Sequence, residues 1–197
     1  MHPMRSIQTV WYLFAAATLM LTGCKPEQPP NNAVAKAPPA ALPVAATSES
    51  ALPSATPEEA KKLLDAGEGY VYVDVRTVEE FTEGHVPGAM NIPVLTVNAA
   101  TGDRVMNDSF LPLIEAQVPR DAKVIVGCRS GARSARAQKL MTEAGYKTVI
   151  NLDGGFVGKT DAEGNVTMPG WSKLGYPTET GDGGEQSYAK LKAKGTP

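Results

Sequence analysis

The sequence predicts an α/β domain with a mainly parallel central sheet and helices on both faces. Three observations carry this expectation. Apolar, β-branched runs alternate with stretches of helical periodicity between residues 56 and 177, the pattern of strands joined by helical crossovers. One run, Val124-Ile125-Val126, is apolar at every position, as expected of a strand buried on both faces. Two helix starts are marked by capping boxes, a Thr followed three residues later by a Glu.

The elements follow in order. Thr56-Pro57-Glu58-Glu59 opens a helix, with Thr56 as the cap, Pro57 in the first turn and Glu59 completing the box. Ala60, Leu63 and Leu64 form its apolar face, and Gly67 ends it. Tyr70-Val71-Tyr72-Val73-Asp74-Val75 reads as a strand. Thr77 with Glu80 caps a short helix stopped by Gly84, and residues 89–92 form a strand between Pro87-Gly88 and Pro93. Residues 108–117 are helical, with Phe110, Leu111 and Ile114 on one side. After the strand at 124–126, Ala137, Leu140, Met141 and Ala144 fall at i, i+3, i+4 and i+7, and Gly145 closes that helix. Residues 148–152 form a further strand.

The two ends of the 197-residue chain are expected to lie outside this domain. Residues 1–23 read as a secretion signal: a short polar start with His2 and Arg5, then an apolar run over 10–21 too short for a comfortable membrane span. The run ends in Leu21-Thr22-Gly23-Cys24, which resembles a bacterial lipobox and implies lipidation of Cys24. That places the protein on the periplasmic side of a membrane, with Lys25 pointing to the outer one. Residues 24–55 are Pro/Ala-rich and are expected to form a disordered tether. Residues 178–197 are polar and Gly-rich and are expected to be a flexible tail. The net charge of −2 and the absence of a basic stripe exclude a nucleic-acid partner.

Cysteine and histidine arithmetic narrows the chemistry. The chain has two cysteines and two histidines. With Cys24 lipidated and His2 removed, Cys128 is the one thiol and His85 the one histidine of the mature form. A structural disulfide, a CxxC redox pair and a dedicated metal site are therefore not expected. Cys128 leaves an apolar strand and enters a Gly/Ser/Arg loop followed at once by a helix. Backbone N–H groups, the positive helix end, and Arg129 and Arg133 all favour an anionic sulfur there. This sequence identifies Cys128 as a nucleophile.

Several blocks together resemble a single-domain rhodanese, a sulfurtransferase family. They are Asp74-Val75-Arg76, Glu80-Phe81-Thr82-Glu83-Gly84-His85-Val86-Pro87-Gly88-Ala89-Met90-Asn91-Ile92-Pro93, Cys128-Arg129-Ser130-Gly131-Ala132-Arg133-Ser134, Gly154-Gly155 and Gly175-Tyr176-Pro177. The resemblance spans residues 56–177. It implies that Cys128 takes the outer sulfur of thiosulfate or a similar donor, holds it as a persulfide and yields it to cyanide or a thiol. It also implies that the loop residues Arg129, Ser130, Gly131, Ala132 and Arg133 bind the donor, their N–H groups turned toward the sulfur and the two arginines attracting its charge. Asp74 and Arg76 would support the loop, and His85 would be structural. No cofactor, no metal and a monomer are expected. A six-residue loop from Cys128 to Arg133 argues against the related phosphatases and arsenate reductases, which place an Arg one position later. Residues 157–170 depart from the family pattern as an insertion, and their Asp161, Glu163 and Asn165 do not match a calcium loop, because Gly164 falls too early. Two functions stay open: an enzyme that turns over small sulfur donors, or a persulfide carrier or thiol-sensing module that docks a partner.

Overall fold

Both capping boxes form. In the computed structural model, which describes residues 52–195, the chain enters through a two-residue strand, β1 (Ser54–Ala55), and turns directly into α1 (Pro57–Asp65). The Thr56 hydroxyl accepts from the Glu59 N–H, and the Glu59 carboxylate accepts from the Thr56 N–H. After β2 (Tyr70–Asp74), the same exchange between Thr77 and Glu80 opens α2 (Val78–Glu83). Then come β3 (Met90–Asn91), a hairpin of β4 (Leu95–Val97) and β5 (Arg104–Met106), and α3 (Phe110–Gln117). The second half holds β6 (Lys123–Gly127), α4 (Ala132–Glu143) and β7 (Thr148–Leu152).

The central sheet has the order β1-β7-β6-β2-β3, and every pairing in it is parallel. This is the α/β architecture that the alternation of runs predicts. Side chains alternate across the sheet. Val73, Val75, Val124 and Val126 pack with α3 and α4 on one face, whereas Tyr72 and Ile125 pack with Ala60 of α1 and Phe81 of α2 on the other. Val124, Ile125 and Val126 are fully buried, so the uninterrupted apolar run does mark a strand covered on both faces. Because the strands are parallel, the loops after β2 and β6 open at one end of the sheet, where parallel sheets gather their functional groups.

Three segments differ from the sequence expectations. The tether expectation runs through residue 55, yet Ser54 and Ala55 pair with Asn151 and Leu152, and the Pro53 carbonyl accepts from the Asn151 N–H and the Gln138 side chain. Two residues are too few to show a period. The expected insertion at 157–170 folds as an antiparallel hairpin of β8 (Gly158–Thr160) and β9 (Val166–Pro169). The expected flexible tail is structured to residue 195: Glu179 bridges to His85, and α5 (Tyr188–Gly195) lies on α3. Leu191 is buried in the main core and its carbonyl accepts from Gln117. A Leu191→Ala variant is expected to lose about 2–4 kcal/mol of unfolding free energy in chemical denaturation; an unchanged midpoint would mean that this docking contributes nothing. Residues 1–51, including Cys24 and the expected signal, lie outside the described residues.

Candidate active site

Cys128 follows β6 directly, and the loop after it curls into α4. The curl depends on Gly131, which sits at φ 107° and serves as the N-cap of α4, a conformation that a residue with a Cβ adopts only under strain. It turns the Gly131 N–H onto the Cys128 Sγ at 3.1 Å. The Ser134 hydroxyl, one turn into α4, lies 3.3 Å from the same sulfur and 3.0 Å from the Gly131 carbonyl oxygen. Cys128 is 1% exposed and Ser134 0%. The sulfur thus rests in a closed cup at the positive end of a 12-residue helix.

The sequence reading expects the N–H groups of residues 129–133 to converge on the sulfur. Of these, the Gly131 N–H is the one within hydrogen-bond distance. Ser130 is half-buried, Ala132 opens α4 on its exposed side, and Arg129 is exposed with no ion-pair partner among the described residues. The missed contributor is Ser134. Its signal was present, a hydroxyl six positions after the cysteine, and only the helical turn brings it back to the sulfur.

Arg133 also departs from expectation. Its guanidinium makes a two-pronged pair with Glu80, Nη1 to Oε2 at 2.6 Å and Nη2 to Oε1 at 2.7 Å, so its charge is already matched rather than offered to a donor. Burial pushes the Glu80 carboxyl up, but Arg133, the Thr77 N–H and Arg76 outweigh it and hold the carboxyl at about 2. A carboxyl depressed in the folded state contributes stability that is complete above its ordinary value near 4.5 and is lost as pH falls toward 2. Glu80→Gln keeps a capping acceptor and removes the charge. Its urea midpoint is expected to lie below wild type at pH 7, with the gap closing between pH 4.5 and about 2; a constant gap would refute the linkage.

Asp74 and Arg76 form a buried pair at the end of β2, with Nη2 2.6 Å from Oδ2. Among the described contacts their reach to the cysteine loop runs through neighbouring segments. Arg76 donates to the carbonyls of Glu80 and Gly84 and stacks 4.2 Å over the Phe156 ring, so it fixes the segment facing the loop. Asp74 pairs in register with Gly127, one residue before the cysteine. His85 is buried, stacks on Phe81 and bonds the Phe81 carbonyl through Nδ1, in keeping with a structural place.

The turn after β7 clamps the loop from outside. The N–H of Phe156 donates to the Cys128 carbonyl at 2.8 Å, and that of Val157 to the Arg129 carbonyl at 2.8 Å. Gly155 makes this approach possible: a Cβ there would stand 2.5 Å from the Cys128 carbonyl oxygen and 2.7 Å from the Ser130 nitrogen. An open pocket beside the loop is lined by Arg76, Glu80, Glu83, Arg129, Phe156 and Val157.

Residues 56–161 match the family model of the rhodanese-like domain. The chain belongs to the rhodanese-like family. Among relatives, it is 41% identical over 105 residues to Thiosulfate sulfurtransferase 18 of Arabidopsis thaliana, covering 52% of this chain and 74% of that protein. It is 41% identical over 101 residues to Rhodanese-like domain-containing protein 17 of the same plant, covering 50% of this chain but only 62% of that relative's length. The crystal structure of Rv0390 from M. tuberculosis superposes with a TM-score of 0.52 at 32% identity, covering 65% of this chain and 99% of that one. The rhodanese fold is therefore shared over the region that builds the cup, and the hairpin from β9 onward lies past the matched residues.

Proposed function

We propose that this rhodanese-like protein is a sulfurtransferase that carries a sulfane sulfur as a Cys128 persulfide between a thiosulfate-like donor and a thiophilic acceptor. The observation that carries the reading is the sulfur itself, held at a strand end by the Gly131 N–H and the Ser134 hydroxyl at the head of α4. The relatives bearing sulfurtransferase names support the class of chemistry.

In the loading step the Cys128 thiolate attacks the outer sulfur of thiosulfate. A sulfur–sulfur bond to Sγ forms, the bond to the sulfonate breaks, and sulfite leaves with its electron pair. In the second step cyanide or a thiolate takes the outer sulfur, and Sγ leaves as a thiolate. No net oxidation is required. The exposed Arg129 guanidinium supplies positive charge for the anionic donor, since Arg133 is occupied by Glu80. Anchorage through a lipid on Cys24, facing the periplasm, completes the proposal, and a Cys24→Ala variant that still incorporates labelled fatty acid would refute it.

The deciding experiment incubates the full chain with thiosulfate and reads the intact mass and the formation of thiocyanate from cyanide. A gain of one sulfur with turnover establishes the enzyme; a gain without turnover establishes the carrier instead; no gain from any sulfane donor overturns both.

A further inference from the structure

We infer that Ser134 is a catalytic hydrogen-bond donor whose single proton follows the charge on the Cys128 sulfur, an inference that rests on the sulfur-transfer reading. The Ser134 Oγ has two acceptors in reach, the Gly131 carbonyl at 3.0 Å and the Cys128 Sγ at 3.3 Å. A hydroxyl carries one proton and cannot serve both at once. With the sulfur protonated, the S–H donates to Oγ and the hydroxyl donates to the Gly131 carbonyl. With the sulfur anionic, the hydroxyl turns to the sulfur, and the Gly131 carbonyl keeps the Ala135 N–H at 3.0 Å. Both states leave every buried group satisfied, which a carbonyl without that second donor would not allow. Ser134 is fully buried, so solvent does not reach the hydroxyl to take its place.

The consequence differs between the two half-reactions. During loading the thiolate is the nucleophile, and a bond to it raises the anionic fraction while lowering its reactivity, so the two effects oppose. During discharge the same sulfur is the leaving group, and the bond helps in one direction only. Ser134 therefore acts chiefly in discharge. The other charged or titratable groups around the cup are Arg133 with its partner Glu80 on α2, the Asp74–Arg76 pair and Tyr72 on and after β2, Asp153 with its partner Lys159, and Arg129. None of them hydrogen-bonds the Ser134 hydroxyl.

The test compares Ser134→Ala and Ser134→Thr with wild type in the full chain. In Ser134→Ala, single-turnover discharge of the preloaded persulfide to cyanide is expected to slow about tenfold, with loading at alkaline pH affected less. The pH midpoint for alkylation of Cys128 by iodoacetamide is expected to rise by about one unit. Ser134→Thr, which keeps the hydroxyl, is expected to stay near wild type in both. An unmoved alkylation midpoint in Ser134→Ala overturns the inference, as does a folded Ser134→Thr with the same defect as Ser134→Ala, which would assign the effect to packing. If wild type takes up no sulfane sulfur, the sulfur-transfer reading fails, and the alkylation profile still decides whether Ser134 donates to the sulfur.

Discussion

A Cys128→Ser variant is expected to take no sulfur from thiosulfate and to turn over below about one-thousandth of the wild-type rate. The substitution is small in every respect but one. The oxygen can accept from the Gly131 N–H as the sulfur does, and the side chain stays buried in the same cup. What is lost is the nucleophile: a serine hydroxyl without a partner base is not ionised at neutral pH, and none of its neighbours in the cup is a base. Unfolding free energy should move by no more than about 1 kcal/mol, so lost activity with an unchanged denaturation midpoint isolates the chemistry from the fold. Cys128 is the one free cysteine among the described residues, and undiminished turnover in the variant would place the nucleophile elsewhere in the chain.

The second large effect is expected from Gly155→Ala, which adds one carbon against the backbone of the cysteine loop. That carbon would stand 2.5 Å from the Cys128 carbonyl oxygen and 2.7 Å from the Arg129 carbonyl carbon and Ser130 nitrogen. The obstacles are backbone, so no side-chain rotation relieves them. Gly155 also sits at φ 60°, where an alanine is disfavoured. Together these cost about 2–4 kcal/mol of stability. The relief is for the cysteine loop to move, which would pull the Gly131 N–H and Ser134 off the sulfur and lower turnover about tenfold or more. Gly88→Ala is the control: its φ is 72° but no atom lies within 4 Å of the added carbon. It should lose about 1 kcal/mol and retain activity. Equal activity losses in the two variants would show that the close approach of the 154–157 turn is not what shapes the cup.

What the sequence made legible is what local rules govern. Thr56 with Glu59 and Thr77 with Glu80 are three residues apart, so their reciprocal bonds are decided before any tertiary contact. The 124–126 run needs burial on both faces whatever the topology. The cysteine at the strand end, followed by a glycine and a helix, was likewise readable, because a turn of that kind needs a positive φ. What stayed hidden depends on contacts across the fold. Arg133 looked like a free cation until Glu80, 53 residues earlier, was brought against it. The tail from 178 onward reads as flexible because Leu191 is its one large aliphatic residue; its burial comes only with Phe110, Leu113 and Ile114 of α3, which share its core cluster. Ser134 stands in the sequence only as the last residue of the cysteine block, and its place against the sulfur comes with the pitch of α4.

The place of β1 has a mechanical consequence. The strand is short, it lies at the rim of the sheet, and it runs in the same direction as β7. Tension on the chain upstream of residue 53 is therefore borne as shear across the Asn151 N–H to Pro53 and Asp153 N–H to Ala55 bonds, which share the load rather than peeling one at a time. Two residues beyond Asp153 is Gly155, whose backbone is pressed against the sulfur-bearing loop. Force arriving at Pro53 thus has a path of only a few bonds to the cup, so the point where the chain enters the sheet is also a handle on the Cys128 sulfur.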